Sequence, residues 1–355
     1  MPETAAEIAR LAGAFNLPHG HVPIIDGKPH WPWDEPVAHQ RLVHVAHLSG
    51  IRLNGDEVLM DSGSNDAWRI GDRVVRICWR GDIDRPLREA AIAAALPATV
   101  PHPRVDDCGR DDDLSWAVSP LVQGTSLSDL WGRTPEDQLR DHARQSAEIL
   151  KALHAWAPPA DLATMLRQAR QPPDADALSL AGVLAAPTHP VQQETMVEFL
   201  RSTPFVDGDL LDAAAERIEA AQAALIPSAD QDVLVHGDFT PGNILVDADQ
   251  ITAVLDFEYA RLGPATDDLA LPWIWVDQQS TTRRAELFLD WLREDYPEPF
   301  QAPDLATRRL IAEFGFALCG CIVWPPDQPE KQLTPSHPLH LLRRLTTTNE
   351  RREPT

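Results

Sequence analysis

The chain has 355 residues, 43% of them hydrophobic and 24% charged, with a formal net charge of -23. That length and apolar fraction suit a globular protein of two lobes with a substantial core. The acidic excess repels nucleic acid and anionic membranes and favours cationic ligands, and no apolar run approaches the roughly 20 residues that span a bilayer.

Residues 1–15, MPETAAEIARLAGAF, carry early acids and no basic region before an apolar core, so they are not a signal peptide. They predict a short amphipathic helix. Residues 16–40 are rich in His, Pro and Trp and predict an irregular extension, in which His19, His21, His30 and His39 lack metal-ligand spacing. The four cysteines, Cys78, Cys108, Cys319 and Cys321, form no CxxC pair and point to reduced thiols in a cytoplasmic protein.

From 41 to 122 the pattern predicts mostly strands with one helix. EVLMDSGSNDAWRI reads as strand, turn, strand, and Arg73–Trp79 (RVVRICW) alternates and is β-branched, so it predicts a strand. Arg85–Leu96 is rich in Ala and Leu with Pro86 near its start, which suits the first turn of a helix. An acidic turn, DDCGRDDD, precedes a further strand in LSWAVSPLV. From 123 onwards helical periodicity dominates. Thr134–Trp156 predicts a long amphipathic helix with Thr134 as N-cap and Pro135 in the first turn. Residues 157–190 hold several prolines and read as an insert, and 191–226 as one or two helices. Short strands then interrupt, and the remainder is helical. The expected organisation is an extension over 1–40, a strand-rich N-lobe over 41–122 and a mainly helical C-lobe over 123–355.

The interruption, VLVHGDFTPGNILVDADQITAVLDFEYA, places Asp238, Asn243 and Asp256 beside apolar runs, where an uncompensated charge is costly. Ala248–Gln250 marks a hairpin tip, so Asp256 at the end of the second strand falls back toward the loop that holds Asn243. Magnesium takes hard oxygen donors and keeps waters and substrate phosphates as its other ligands. Asn243 and Asp256 supply such oxygens, and Asp238 is left to accept a proton from a hydroxyl. The bland alternative is that all are turn-formers, which one residue would satisfy but the ordered set does not.

HGDFTPGNIL followed by LDFEYARLGPATDDLA resembles the aminoglycoside phosphotransferase and choline kinase family, over most of residues 50–330. The resemblance implies an α+β, protein-kinase-like two-lobe fold with an antiparallel-sheet N-lobe. It implies phosphoryl transfer from ATP or GTP, with Mg2+, to a small-molecule hydroxyl. Carried over, Asp238 is the base, Asn243 and Asp256 hold magnesium, His236 anchors the loop, and Asp268 braces it or caps the following helix. The usual strand lysine is absent, and Arg76 stands in its place with Glu89 as its helical partner. The glycine-rich loop is reduced to Gly63, with Ser64 and Asn65 as candidate phosphate contacts or ordinary turn residues. The carbonyl of Pro120 and the amide of Val122 are candidates for the adenine edge, with Ser119 at the back of the base pocket.

For the acceptor, Glu258, Asp277, Asp290, Glu294 and Asp295 suit a cationic molecule such as an aminoglycoside, or are solvated helix faces. Trp273, Trp275 and Trp291 suit a sugar-stacking pocket, or core. HGD without an APE-like segment disfavours a protein kinase. A kinase for a neutral sugar, amino alcohol or macrolide remains open, as does a nucleotide-binding protein without catalysis.

Overall fold

The computed structural model describes residues 24–25, 28–29, 34–60, 65–79, 83–111, 114–168, 190–225, 232–278, 282–323, 326 and 330–347. In chain order the strands are β1 (Ile24–Ile25), β2 (Lys28–Pro29), β3 (Val58–Met60), β4 (Asp66–Ile70), β5 (Arg73–Cys78), β6 (Asp107–Asp111), β7 (Leu114–Pro120), β8 (Thr125–Ser126), β9 (Val233–Val235), β10 (Ile244–Asp247), β11 (Gln250–Val254) and β12 (Arg261–Gly263). The helices are α1 (Glu35–Ser49), α2 (Arg85–Ala95), α3 (Leu127–Trp131), α4 (Glu136–Ala155), α5 (Ala160–Gln168), α6 (Pro190–Arg201), α7 (Gly208–Ala223), α8 (Ala270–Gln278), α9 (Thr282–Asp295), α10 (Leu305–Val323) and α11 (Pro338–Thr347). The helix expected over 1–15 lies outside the described residues.

The chain divides into two units that are discontinuous in sequence: 1–133, 156–182 and 241–261 form one, and 134–155, 183–240 and 262–355 the other. The first is built on a five-stranded antiparallel sheet, ordered β3-β4-β5-β7-β6. Alternation along β5 decides its two faces. Val75 and Ile77 join Trp68, Ile70, Trp116 and Val118 in a core closed by Ala38, Leu42 and Val45 of α1. Arg76 and Cys78 take the opposite face, where α2 packs on β5 and β7. The hairpin β10-β11 belongs to this unit, with β8 paired to its outer edge. Gly124 sits at φ +145°, and a Cβ there would stand 3.1 Å from both the Val246 carbonyl and Thr252 Oγ1. Only glycine lets the segment after β7 lie this close to the hairpin.

Two features differ from the sequence reading. Helix α1 begins inside the stretch expected to be irregular. Its buried positions, Val37, Ala38, Leu42, Val45 and Ala46, recur at helical spacing among five charged or imidazole side chains, and Pro36 occupies its first turn. The acidic DCGRD is a strand, β6, rather than a turn. It is an edge strand, and exposed charge at an edge suppresses pairing with other chains.

The second unit is helical. Helix α4 packs on α9 and β9, and α10 on α6, α7, α8 and α11. A small sheet pairs β9 with β12. Among the described residues no helix is long and apolar enough to cross a membrane.

Candidate active site

In the first unit the ladder of β10 and β11 aligns Ile244 with Val254, and the Leu255 amide donates to the Asn243 carbonyl at 2.8 Å. Asn243 therefore sits across the hairpin from the residue before Asp256. Asp256 itself breaks β11 into a short 3-10 turn at Phe257–Tyr259, with φ 69° and ψ 58°. A left-handed non-glycine residue is uncommon and is held by its surroundings, a pattern found at functional positions. Two oxygen-bearing side chains on adjacent positions of a rigid hairpin fit a magnesium ion completed by phosphates and water. Among the described residues no cluster of three or more His, Cys, Asp or Glu is arranged for a metal.

Arg76, on the face of β5 turned to α2, makes an ion pair with Glu89 and donates from Nη1 to Asp256 Oδ1 at 2.9 Å. The expected Arg76–Glu89 pair is thus brought together, and Asp256 is a partner that sequence spacing did not disclose. The planar guanidinium suits this arrangement, with Nη2 toward Glu89 and Nη1 toward Asp256.

The other expected nucleotide contacts are placed as follows. Pro120 ends β7 opposite Arg73, and the Leu121 amide donates to the Asp72 carbonyl at 2.8 Å. A trans peptide points its carbonyl away from its amide hydrogen, so the Pro120 carbonyl faces away from β5. Val122 follows, half-buried. Ser64 lies outside the described residues. Asn65 is turned inward: its Nδ2 donates to Glu258 Oε2 at 2.5 Å. Its amide is committed to the fold, and a phosphate contact is not where the structure puts it. Glu258 also departs from expectation. It is 1% exposed and pairs with Arg85, so it does not line a substrate surface.

In the second unit the catalytic loop is held from behind. Asp268 is 1% exposed and accepts from the amides of His236 (2.9 Å) and Gly237 (2.7 Å), and from His154 Nε2 at 2.9 Å. Its carboxylate faces these donors and does not cap the following helix. Burial works to raise the Asp268 carboxyl, but the His154 hydrogen bond and the nearby histidines and amides hold it below its ordinary range. His236, fully buried, accepts from the Asp238 amide through Nδ1 at 3.1 Å, and Gly237 between them takes φ 86°. The other ring nitrogen of His154 meets the Tyr296 hydroxyl at 3.0 Å. A chain thus runs from α9's end through α4 to the loop bearing Asp238. His154 carried only a weak signal, being one of two histidines, with His142, on the buried face of α4.

The acidic acceptor wall is largely neutralised. Asp295 and Glu294 both take hydrogen bonds from Arg140, and Asp290 lies 3.9 Å from Arg293. The Asp277 side chain lies outside the described residues. Trp273 and Trp291 are buried, and Trp273 and Trp275 pack edge-on against Phe300 and Phe288, so Trp273 and Trp291 serve the core.

Comparison with known proteins addresses the family and the fold. The model of the phosphotransferase enzyme family matches residues 59–301, well over half of the chain. An aminoglycoside 3'-phosphotransferase of Streptomyces ribosidificus is 29% identical over 173 residues, which are 48% of this chain and 57% of that protein. The chain therefore matches just over half the length of that curated relative. A thermostable mutant of aminoglycoside phosphotransferase APH(4)-Ia, in ternary complex with ADP and hygromycin B, superposes with a TM-score of 0.58 at 17% identity. That match covers 86% of this chain and 97% of the other. The GDP and kanamycin complex of APH(2")-IIia superposes with a TM-score of 0.60 at 17% identity, covering 88% and 99%. The fold is that of the aminoglycoside phosphotransferases, an antiparallel sheet with a mainly helical remainder. The chain belongs to the phosphotransferase enzyme family.

Proposed function

We propose that this protein transfers the γ-phosphate of ATP or GTP to a hydroxyl of a small molecule. The observation that carries the reading is the Arg76 fork set between Glu89 and Asp256, with Asn243 beside Asp256 on the same hairpin. Asp238 accepts the proton of the acceptor hydroxyl, in a loop whose backbone is held by Asp268 and His236. Arg76 neutralises phosphate oxygens, and Glu89 keeps it oriented. The Pro120 carbonyl and the Val122 amide take the base. Asn243 and Asp256 would hold Mg2+, which would supply charge neutralisation at the phosphates.

Structural relatives bound to hygromycin B and kanamycin support a hydroxylated, cationic acceptor. The pairing of Asp295, Glu294 and Asp290 with arginines favours a second reading, a neutral sugar, amino alcohol or macrolide, because fewer carboxylates are left to meet a polycation. The net charge of -23 opposes nucleic acid and membrane partners, and the nucleotide donor supports a cytoplasmic setting. The test is magnesium-dependent nucleotide consumption against a panel of aminoglycosides, macrolides, amino alcohols and sugars, with Asp238→Asn as control. Turnover on one class that the control lacks supports the reading and names the acceptor. Unchanged turnover in Asp238→Asn refutes the base, and tight nucleotide binding without turnover on any class favours a non-catalytic role.

A further inference from the structure

Glu258 lies two residues beyond Asp256, and a carboxylate this buried needs compensation. Arg85, the first residue of α2 and 0% exposed, provides it. Arg85 Nη1 donates to Glu258 Oε1 and to the Tyr259 hydroxyl, each at 3.2 Å. Its Nη2 donates to Cys78 Sγ at 3.1 Å and lies 3.5 Å from Asn65 Oδ1. Arg88 reaches the Glu258 carbonyl at 3.5 Å. Burial alone would loosen the Arg85 proton, but Glu258, with Tyr259 and Cys78, together more than offset it, and the guanidinium stays charged.

Three segments meet at this side chain. Asn65 opens β4 where the loop after β3 ends. Cys78 closes β5, two residues past Arg76. The turn Phe257–Tyr259 follows Asp256 directly. One turn further along α2, Glu89 holds Arg76, which holds Asp256. Helix α2 therefore grips the Asp256 segment at two points, once through Glu89 and Arg76 and once through Arg85 and Glu258. One attachment permits rotation about it; two fix an orientation, and Asp256 keeps a left-handed backbone that needs such support.

We propose that Arg85 is a positioning residue for the metal site: by holding Glu258 it sets the orientation of Asp256 as a metal ligand, and Glu258 serves as the anchor rather than as a substrate contact. The proposal rests on the phosphotransferase reading and deepens it. Outer partners that orient a ligand typically change metal affinity by about 10–100-fold when removed.

The experiment is calorimetric binding of ADP with and without magnesium, alongside thermal melting, for wild type, Arg85→Met, Glu258→Gln and the double variant Arg85→Met with Glu258→Met. Arg85→Met is expected to weaken magnesium-dependent ADP binding about 10-fold, to leave metal-free ADP binding unchanged, and to be partly rescued in the double variant. A folded Arg85→Met with wild-type magnesium dependence overturns the proposal, even if its melting temperature falls, since the role would then be structural only. If Arg85→Met does not fold, Glu258→Gln decides. It keeps shape and one acceptor, and an unchanged magnesium dependence there overturns the proposal. Loss in Glu258→Gln with none in Arg85→Met also overturns it, because Glu258 would then act directly. Wild-type protein that binds no nucleotide in either condition refutes the phosphotransferase reading itself, which separates the two failures.

Discussion

Substituting Asp268 by alanine removes the acceptor shared by the His236 and Gly237 amides and by His154. Each hydrogen bond to a charged group contributes about 1.5–3 kcal/mol. His154 keeps Tyr296 on Nδ1 but its Nε2 loses its acceptor, and the two backbone amides alone account for about 3–6 kcal/mol. Against a total stability of about 5–15 kcal/mol, that is a large fraction. The catalytic consequence follows from the same contacts. The Asp238 amide hangs on His236, so a loop released from Asp268 displaces the base, and a displacement of about 1 Å costs roughly 100-fold in turnover. Asp268→Asn should fall between, because its amide keeps one accepting oxygen but turns a donor toward a donor. Urea unfolding measures the first effect, and kcat at saturating nucleotide the second. An Asp268→Ala protein within about 1 kcal/mol of wild type, with kcat intact, would refute the brace.

Arg76→Ala leaves Glu89 and Asp256 facing each other without a cation and should raise the nucleotide KM by about 10-fold or more; Arg76→Lys should fall between, and an unchanged KM would mean another group holds the phosphates. Gly124→Ala should destabilise by about 1–3 kcal/mol, read as a lower urea midpoint, because its φ of +145° and the 3.1 Å approach to Val246 exclude a side chain. The Asp268 carboxyl is held below its ordinary 3.8, so its contribution is full above that pH and is lost as pH falls through the folded value. The stability gap between wild type and Asp268→Asn should therefore narrow below pH 3.8, and a constant gap would contradict the pairing. Burial first, then Glu298 and Asp268, push the Tyr296 hydroxyl from 10.0 up to about 12. Its neutral form therefore adds stability that is present below pH 10.0 and lost as pH rises through about 12. Ultraviolet titration should show a late tyrosine phase that Tyr296→Phe abolishes.

Much of the sheet and hairpin was legible along the chain because the signals are local. RVVRICW alternates, RPLREAA opens with a proline that tolerates only a first turn, and ADQ turns the hairpin that carries Asn243 and Asp256. The motif from His236 to Asp256 is equally local, since thirteen residues of hairpin suffice to return Asp256 to Asn243. Helix α1 and strand β6 were not legible for opposite reasons. In α1 the buried stripe is diluted by polar residues, and in β6 an edge position replaces apolar alternation with charge.

Partnership between distant residues is where sequence pattern stops. Nothing in the spacing of Arg85 and Glu258, 173 positions apart, or of Arg76 and Asp256, 180 apart, says that they meet. The acids Glu258, Asp290, Glu294 and Asp295 look alike in sequence. Only packing decides that the first is a buried anchor and that the others face arginines. Residue type and period specify strands, helices and the oxygen donors of one loop, because those depend on neighbours within a few residues. Which charge compensates which depends on what the fold buries, and burial is a property of the whole chain.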